Sequence, residues 1–173
     1  MGFGNSLDQS AGGTAAKIIP LNNEEVKCKL EKVDKDSNGL SRDVRTPGLG
    51  IYKIHNVKKN WTLAKEVCEH EGSHLMIINS EREVQSLDNL IENNNNSCDN
   101  KIFWIGIHDQ YLEGEYITIF NETLESIGFS SWYPGDPDGS TNYNCGYYRY
   151  ESTYKKGLRD GRCSSHLCFI CEK

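Results

Sequence analysis

The most definite chemistry in this sequence belongs to its seven cysteines. They stand at Cys28, Cys68, Cys98, Cys145, Cys163, Cys168 and Cys171. In a reducing compartment so many thiols would have no structural use, so this density of cysteines predicts disulfide bonds and an exported protein. A zinc site needs paired ligand spacings, and the segment from Cys168 to Cys171 is the only C-x-x-C in the chain, which disfavours zinc and redox chemistry. An odd number of cysteines leaves at least one thiol either free or bonded to another chain.

Three N-x-S/T triplets and five histidines are the other groups with recognisable chemistry. The triplets begin at Asn60, Asn95 and Asn121 and are candidate N-glycosylation sites, in keeping with a secreted glycoprotein. The histidines show no H-E-x-x-H spacing, and the chain contains neither a G-x-S-x-G motif nor a phosphate-binding loop. We therefore expect no enzymatic activity.

The composition limits the classes of partner. The 173 residues include 25 acidic and 19 basic side chains, a net charge of −6, with no basic cluster that could neutralise a run of phosphates. We therefore expect no binding to nucleic acid. No apolar run approaches the roughly 18 residues needed to span a membrane. The start of the chain lacks the apolar stretch of a signal peptide, so we expect the leader of an exported chain to have been removed already.

The apolar pattern divides the chain into a polar N-terminal segment and one folded domain. Residues 1–49 contain no apolar period that could form a core, so we predict a flexible segment there. Tyr52 and Ile54 indicate a first strand, after which apolar residues recur at helical spacing between Trp61 and Cys68. This spacing predicts a first helix.

A capping box predicts the start of a second helix. The side chains of Ser80 and Glu83 can each accept a hydrogen bond from the backbone N–H of the other. Apolar residues follow at helical spacing as far as Ile91, and the asparagines at 93–96 end the helix. The remaining apolar segments are short and separated by Gly, Asp, Pro and Ser, which is typical of strands and loops. Two helices followed by strands predict an α+β domain.

In the order of several motifs the sequence resembles the C-type lectin-like domain family. It is similar to the secreted C-type lectins of insects. The motifs are Asn60-Trp61 with Ala64 and Cys68, Trp104-Ile-Gly-Ile107, Trp132-Tyr-Pro-Gly-Asp-Pro-Asp138, Cys145 with Cys163, and Phe169-Ile-Cys171-Glu172. The resemblance covers residues 50–173 and implies two helices flanking antiparallel sheets, a long irregular loop and disulfide bonds. Trp104 and Ile105 should point to opposite faces of a strand, where Gly106 would let another backbone approach closely.

The resemblance implies two disulfide bonds, Cys68 with Cys171 and Cys145 with Cys163. Three cysteines, Cys28, Cys98 and Cys168, lie outside that pattern. Cys168 and Cys171 should face opposite sides of a strand because their separation is odd, so they do not compete for one partner. A bond between Cys98 and Cys168 is one pairing left open. It would leave Cys28 to join a second chain in a disulfide-linked dimer.

In sugar-binding members of the family the long loop holds a calcium ion. Its ligand positions fall on Asp136-Pro137-Asp138, on Tyr143 and on Leu158-Arg159-Asp160. Calcium takes about 6–8 oxygen ligands, which two vicinal sugar hydroxyls can complete, and the proline of the first triplet is typically cis in the family. Tyr143 and Arg159 replace oxygen ligands, although Asn142 and Asn144 could supply amide oxygens. The resemblance therefore implies a weakened or atypical calcium site.

Arg159 suggests a second interpretation of this loop. Its guanidinium could replace the calcium and form charge-assisted hydrogen bonds with Asp136, Asp138 or Asp160. The tyrosines of the loop, Tyr133 and Tyr143, are candidates for contact with a sugar or a protein, because each ring has an apolar face and a polar tip.

A second, auxiliary calcium site in the family uses acids that follow the Trp-Ile-Gly strand. Asp109 and Glu113 stand at those positions, whereas Gly139 and Asn144 replace acids on the opposite side. An ordinary solvated loop explains Asp109 and Glu113 equally well.

Two functions follow from the resemblance. The first is a secreted carbohydrate-binding protein that recognises microbial or host glycans in innate immunity. The second is a calcium-independent subunit that binds a protein partner and is disulfide-linked to it through Cys28.

Overall fold

The computed structural model describes residues 43–93 and 98–173. Our predictions for Cys28, for Asn95 and for residues 1–42 concern positions outside these ranges. The described strands are β1 (Asp43–Thr46), β2 (Gly50–Lys59), β3 (His74–Leu75), β4 (Ile102–His108), β5 (Ile117–Thr118), β6 (Cys145–Ser152), β7 (Lys155–Gly161) and β8 (Leu167–Glu172). The described helices are α1 (Trp61–His70), α2 (Glu81–Asn93) and α3 (Leu124–Ile127), with a 3₁₀ turn at Asp99–Lys101. None of these helices is long and apolar enough to cross a membrane.

The strands form one sheet in the order β1-β2-β8-β4-β6-β7, with β3 paired to β8 and β5 paired to β4. Helices and sheet together confirm the α+β class. The expectation of antiparallel sheets misses one pair, because β4 and β8 run parallel, with Phe103 opposite Cys168. This pair follows from the strand order: β8 lies between β2 and β4, which run in opposite directions, so it must be parallel to one of them.

Strand β4 separates two hydrophobic cores. Trp104 packs with Trp61 of α1 on one face, and Ile105 packs with Leu87 of α2 on the other. Both β4 side chains are fully buried. The predicted division of Trp104 and Ile105 between opposite faces is confirmed, and each helix covers one face of the central strand.

Gly106 lies where two backbone segments meet. Its N–H donates to the carbonyl oxygen of Met76 at 2.7 Å, and a Cβ atom at this position would lie 2.7 Å from the carbonyl oxygen of Leu75. Any larger residue would push these segments apart, so the predicted close approach is confirmed.

Helix α1 begins at the predicted place. Asn60 caps it, since its Oδ1 accepts a hydrogen bond from the Leu63 N–H at 2.9 Å. The indole of Trp61 donates to the Ile105 carbonyl oxygen at 2.8 Å. The first turn of the helix is thereby fixed to β4.

Helix α2 also begins after Ser80, but only half of the predicted capping box forms. Ser80 Oγ accepts from the Glu83 N–H at 3.3 Å, whereas the Glu83 carboxylate accepts from the Asn79 N–H at 2.8 Å. The other oxygen of Glu83 accepts from the Tyr52 hydroxyl at 2.6 Å. Glu83 is only 1 % exposed, so it ties the helix to β2 in the core. Nearby, Glu172 accepts from the Ile77 N–H at 3.2 Å.

The sheet begins before the boundary expected at residue 50. Strand β1 is antiparallel to β2 and places Val44 opposite Tyr52. It is a four-residue edge strand in which exposed and half-buried residues alternate, so it contributes little to the core. Its sequence consequently lacks the apolar signal on which the prediction depended.

Three disulfide bonds link these elements: Cys68 with Cys171, Cys98 with Cys168, and Cys145 with Cys163. Their Cα atoms are 5.4, 6.0 and 5.1 Å apart. Both pairs implied by the resemblance are therefore present, and so is the pair that the sequence left open. At the end of the chain, Lys173 exchanges two backbone hydrogen bonds with Ile51 of β2, at 2.9 and 3.0 Å.

Candidate functional site

The long loop before β6 packs against β7. The Tyr133 N–H donates to the Leu158 carbonyl oxygen at 2.8 Å, and the Leu158 N–H donates to Ser131 at 3.0 Å. The Asp136–Pro137 peptide bond in this loop is cis, as is typical of the family that the sequence resembles. This docking brings Asp136 next to the Arg159 side chain on β7.

Arg159 and Asp136 form an ion pair in the loop. Arg159 Nε donates to Asp136 Oδ2 at 2.6 Å, and the Asp136 side chain is only 2 % exposed. The guanidinium also lies over the rings of Tyr133 and Tyr147, at 5.1 and 5.8 Å from their centroids. A buried carboxylate is costly unless a cation pairs with it, and Arg159 supplies that cation. Of the three acids considered as its partners, Asp136 is the one it contacts.

Asp160, the next residue on β7, is a buried acid without a hydrogen-bond donor. The residue is 4 % exposed, and neither carboxylate oxygen has a hydrogen-bond partner among the described residues. Burial and the neighbouring carboxylates of Asp136 and Asp138 raise the pKa of Asp160 to about 6. Unsatisfied buried acceptors are rare in folded proteins, and both of these oxygens are shielded from solvent.

The principal calcium position of the family does not fit the ion here. Asp138 is exposed, and its Oδ1 accepts from the Ser140 N–H at 3.0 Å. Within the part of the chain that the structure describes, the only three His, Cys, Asp or Glu ligand atoms within 4.8 Å of one another belong to His55, Glu71 and Cys171. Cys171 is in a disulfide bond, so that group is not a metal site either. The loop acids Asp136, Asp138 and Asp160 thus do not bring three ligand atoms within 4.8 Å of one another, and an arginine occupies one of the ligand positions.

The auxiliary position offers a hard cation two carboxylates, Asp109 and Glu113. Asp109 is 1 % exposed. Its Oδ2 accepts from the Gly114 N–H at 2.9 Å, while its Oδ1 has no partner among the described residues. Glu113 Oε2 accepts from the Asn144 side-chain amide at 3.5 Å, and the Asn144 backbone carbonyl oxygen accepts from the Asp109 N–H at 3.2 Å. Asp109 and Glu113 are therefore the residues that would hold a calcium ion at this position.

A groove of about 500 Å³ lies beside Arg159 and Asp160. Its walls carry charged and aromatic side chains, chiefly Asp138, Tyr143, Tyr147, Arg159, Asp160 and Arg162. The Arg162 guanidinium lies 5.6 Å from the Tyr143 ring centroid. The sequence interpretation preferred Tyr133 and Tyr143 to Tyr147 as contact residues and did not include Arg162. Strand alternation is the signal that could have found Tyr147, because its neighbours Tyr148 and Tyr150 both face the core.

The two loop tyrosines differ in their surroundings. Tyr143 is half-buried and lines the groove. Tyr133 is buried, and its ring faces cations of Arg149, Lys155 and Arg159 at 5.1–5.6 Å. These cations cover Tyr133, so it supports the loop. Asn142 is exposed at the tip of the loop and does not line the groove.

The described glycosylation candidates also differ. Asn60 uses its side-chain oxygen as the cap of α1. Asn121 is exposed in a turn, with a left-handed φ of 63°. Of these two asparagines, Asn121 is the more accessible acceptor.

Comparison with known proteins agrees with this fold. The family profile for the Lectin C-type domain matches residues 57–173. The hemolymph lipopolysaccharide-binding protein of the cockroach Periplaneta americana is 41 % identical over 129 residues, which are 72 % of this chain and 49 % of that protein. Salivary C-type lectin 2 of the mosquito Aedes albopictus is 32 % identical over 126 residues, 70 % of this chain and 82 % of that protein.

Solved structures show the same architecture. The carbohydrate-recognition domain of the mouse scavenger receptor C-type lectin superimposes with a TM-score of 0.62 and 25 % identity. The match covers 75 % of this chain and 93 % of that domain. This chain spans about half the length of the cockroach protein that it matches. From its profile, its relatives and its fold, the chain belongs to the C-type lectin domain family.

Proposed function

We propose that this chain is a secreted lectin that binds glycans in the groove beside Arg159. The observation that carries the proposal is the lining of this groove, which combines the acids Asp138 and Asp160 with the cations Arg159 and Arg162. Sugar hydroxyls both donate and accept hydrogen bonds, so they suit a surface that offers both partners. The ring of Tyr147 adds an apolar surface for a pyranose face.

The relatives and the disulfides support an extracellular role. Three disulfide bonds suit an oxidising compartment, and the matched insect proteins are described as hemolymph and salivary proteins. We propose that the glycans are those of microbial surfaces, by analogy with the cockroach lipopolysaccharide-binding protein. The role is binding, not catalysis. We also propose the division expected from the sequence, a C-type lectin-like domain at residues 50–173 preceded by a polar segment at residues 1–49, with strand β1 of that segment paired to the domain.

The proposal is tested by a glycan array that includes bacterial polysaccharides, probed with the full chain in buffers containing either calcium or EDTA. We expect binding to at least one class of glycan. If no glycan were bound in either buffer, the lectin function would be refuted.

Calcium, in this proposal, has a structural role at Asp109 and Glu113. An ion there would satisfy the unpartnered Asp109 oxygen and fix the turn that begins at Asp109 next to Asn144. Calcium at ten times its dissociation constant would stabilise the folded state by about 1.4 kcal/mol. We expect the melting temperature to rise by a few degrees in calcium relative to EDTA, in the native chain and in Asp138→Asn. The rise should be absent in Asp109→Asn, and an equal rise in that variant would exclude this position.

One observation favours a second candidate, a calcium-independent protein-binding subunit. The Arg159 side chain stands at a calcium-ligand position of the family, where it pairs with Asp136. Loss of calcium would remove the basis of the family's sugar recognition while leaving the fold intact. A negative glycan array, together with a covalent partner released by reductant, would favour this candidate over the lectin.

A further inference from the structure

Strand β1 is an open edge of the sheet. It pairs with β2 on one side, and no other strand that the structure describes pairs with its outer side. In β2, Ile51 exchanges both of its backbone hydrogen bonds with Lys173. Alternate residues of a strand direct their N–H and C=O groups to opposite sides. The groups of Tyr52 and Gly50 therefore point toward β1, and those of Ile51 point away from it.

Two residues of β1 direct their backbone groups outward. Asp43 and Arg45 lie opposite Lys53 and Ile51, the residues of β2 whose hydrogen-bonding groups point away from β1. The N–H and C=O groups of Asp43 and Arg45 consequently point away from the sheet. An unpaired edge of this kind is a template for another strand.

The sequence of β1 is complementary to itself. When two copies of the strand pair antiparallel about Val44, Asp43 of each copy lies opposite Arg45 of the other. In this register the outward backbone groups meet, so each such pair can exchange both of its backbone hydrogen bonds. Both charged residues are exposed. Opposite charges at facing positions stabilise a pair of strands, whereas like charges destabilise it.

A groove continues this edge toward α2. It has a volume of about 580 Å³ and lies between β1 and the helix. The residues of α2 that line it are uncharged and follow one another at helical spacing: Ser86, Asn89, Leu90 and Asn93. Five of the 13 residues of α2 are charged, yet none lies in this stripe. The centres of protein interfaces are depleted of charge in the same way.

Val44 lies on the same face of the sheet as this stripe. It is opposite Tyr52, whose hydroxyl donates to the Glu83 carboxylate of α2 at 2.6 Å. A two-fold axis perpendicular to the paired strands keeps the α2 helices of both copies on that face. The two uncharged stripes therefore face each other across the Val44 pair.

We propose that the edge of β1 and the adjoining groove form a dimer interface between two copies of this chain, with a two-fold axis at Val44. The complementarity of Asp43 with Arg45 favours a second copy over an unrelated strand. The association is non-covalent and separate from any disulfide bond through Cys28. A four-residue strand and one helix stripe make a small interface, so the dissociation constant should be on the order of micromolar.

Sedimentation equilibrium of the full chain across the micromolar range measures this association. Cys28→Ser is the starting chain, so that no interchain bond through that cysteine contributes. Asp43→Arg and Arg45→Asp, each added to the starting chain, place like charges opposite one another at the interface. Glu125→Arg is the matched control, because it changes the net charge as Asp43→Arg does, at an exposed position of α3 outside the groove.

We expect the starting chain to dimerise and each charge variant to associate at least about tenfold more weakly. Glu125→Arg should associate like the starting chain. An equal mixture of Asp43→Arg and Arg45→Asp should form heterodimers with the starting affinity, because each chain then meets opposite charges. A monomeric starting chain at every concentration would overturn the inference, and so would charge variants that dimerise as tightly as the starting chain.

Hydrogen exchange in the starting chain decides if the charge variants do not fold, as judged by circular dichroism. The outward N–H groups of Asp43 and Arg45 should exchange more slowly as the concentration rises through the dimer range. Protection in a monomer would mean that another segment of the chain covers the edge, and unprotected groups in a dimer would place the contact elsewhere. Either result would overturn the inference, and neither bears on glycan binding.

Discussion

The disulfide bond between Cys98 and Cys168 should contribute several kcal/mol to the stability of the domain. It joins the segment after α2 to strand β8. Replacing both residues with alanine removes the cross-link and leaves the other two disulfides in place. The chain-entropy model attributes the stabilisation to the smaller number of conformations open to a cross-linked unfolded chain.

The magnitude depends on the cross-links that remain. Cys98 and Cys168 are 70 residues apart in sequence, and a loop of that length corresponds to about 4.4 kcal/mol. The bond between Cys68 and Cys171 already joins the two segments by a shorter path. That path runs 30 residues from Cys98 to Cys68 and three residues from Cys171 to Cys168. The loop closed by Cys98 and Cys168 therefore has about 34 residues, for which the chain-entropy model gives a stabilisation of ~3.7 kcal/mol. Both sulfurs are also buried in the core beside Phe103, so alanine loses packing as well. We expect a total loss of about 3–5 kcal/mol.

Urea unfolding under non-reducing conditions measures this loss. The free energy of unfolding should fall by the stated amount, and the slope against urea should rise because the unfolded chain exposes more surface. Cys98→Ala alone is the matched comparison: it breaks the same bond but keeps the sulfur of Cys168 in the core. A loss below about 1 kcal/mol with an unchanged slope would refute the reasoning.

Two further predictions concern titration and the remaining cysteine. Burial and the nearby Glu83 carboxylate raise the pKa of Glu172 from 4.5 to about 7. Between these two pH values the folded state therefore binds more protons than the unfolded state. The free energy of unfolding should fall as the pH rises through that window. Unfolding free energies at pH 5 and pH 8 should therefore show that Glu172→Gln gains stability, relative to the native chain, at the higher pH; equal effects at both would contradict the assignment. The three disulfides use six of the seven cysteines, so Cys28 should be either one alkylatable thiol or an interchain bond. Electrophoresis with and without reductant distinguishes these states, and the dimer hypothesis fails if the chain migrates as a monomer in both.

The elements that face the core could be predicted from the sequence. The helical spacing between Trp61 and Cys68 and the alternation at Tyr52 and Ile54 both reflect burial, and the structure buries these residues. Gly106 was predictable for the same reason, since it lies in an apolar strand where only glycine admits the neighbouring backbone. In each case the pattern records which side of an element excludes water.

Polar edges carry no such signal, and two strands were missed for this reason. Strand β1 is short and half exposed. Strand β7, with the sequence KKGLRDG, forms the other edge of the sheet and buries few apolar side chains. Because Arg159 and Asp160 both lie on β7, the sequence could nominate them as site residues without showing their surroundings.

Side-chain partners in the loop depend on tertiary packing. Three acids were possible partners for Arg159, and the contact with Asp136 results from the docking of the loop at Tyr133 and Leu158. The same docking buries Tyr133 beneath cations. No local pattern encodes these contacts, since they join residues 16 or more positions apart.

The pairing of Lys173 with Ile51 has a mechanical consequence. Strand β8 is antiparallel to β2, with Glu172 opposite Tyr52 and Cys171 opposite Lys53. A pull on the carboxyl end would peel the hydrogen bonds of this ladder one pair at a time. Peeling would stop after two residues, at Cys171, where the bond to Cys68 anchors the strand covalently. Fraying, and with it trimming by an exopeptidase, should therefore end there, so that a further module attached at Lys173 could bear load without unravelling the lectin domain.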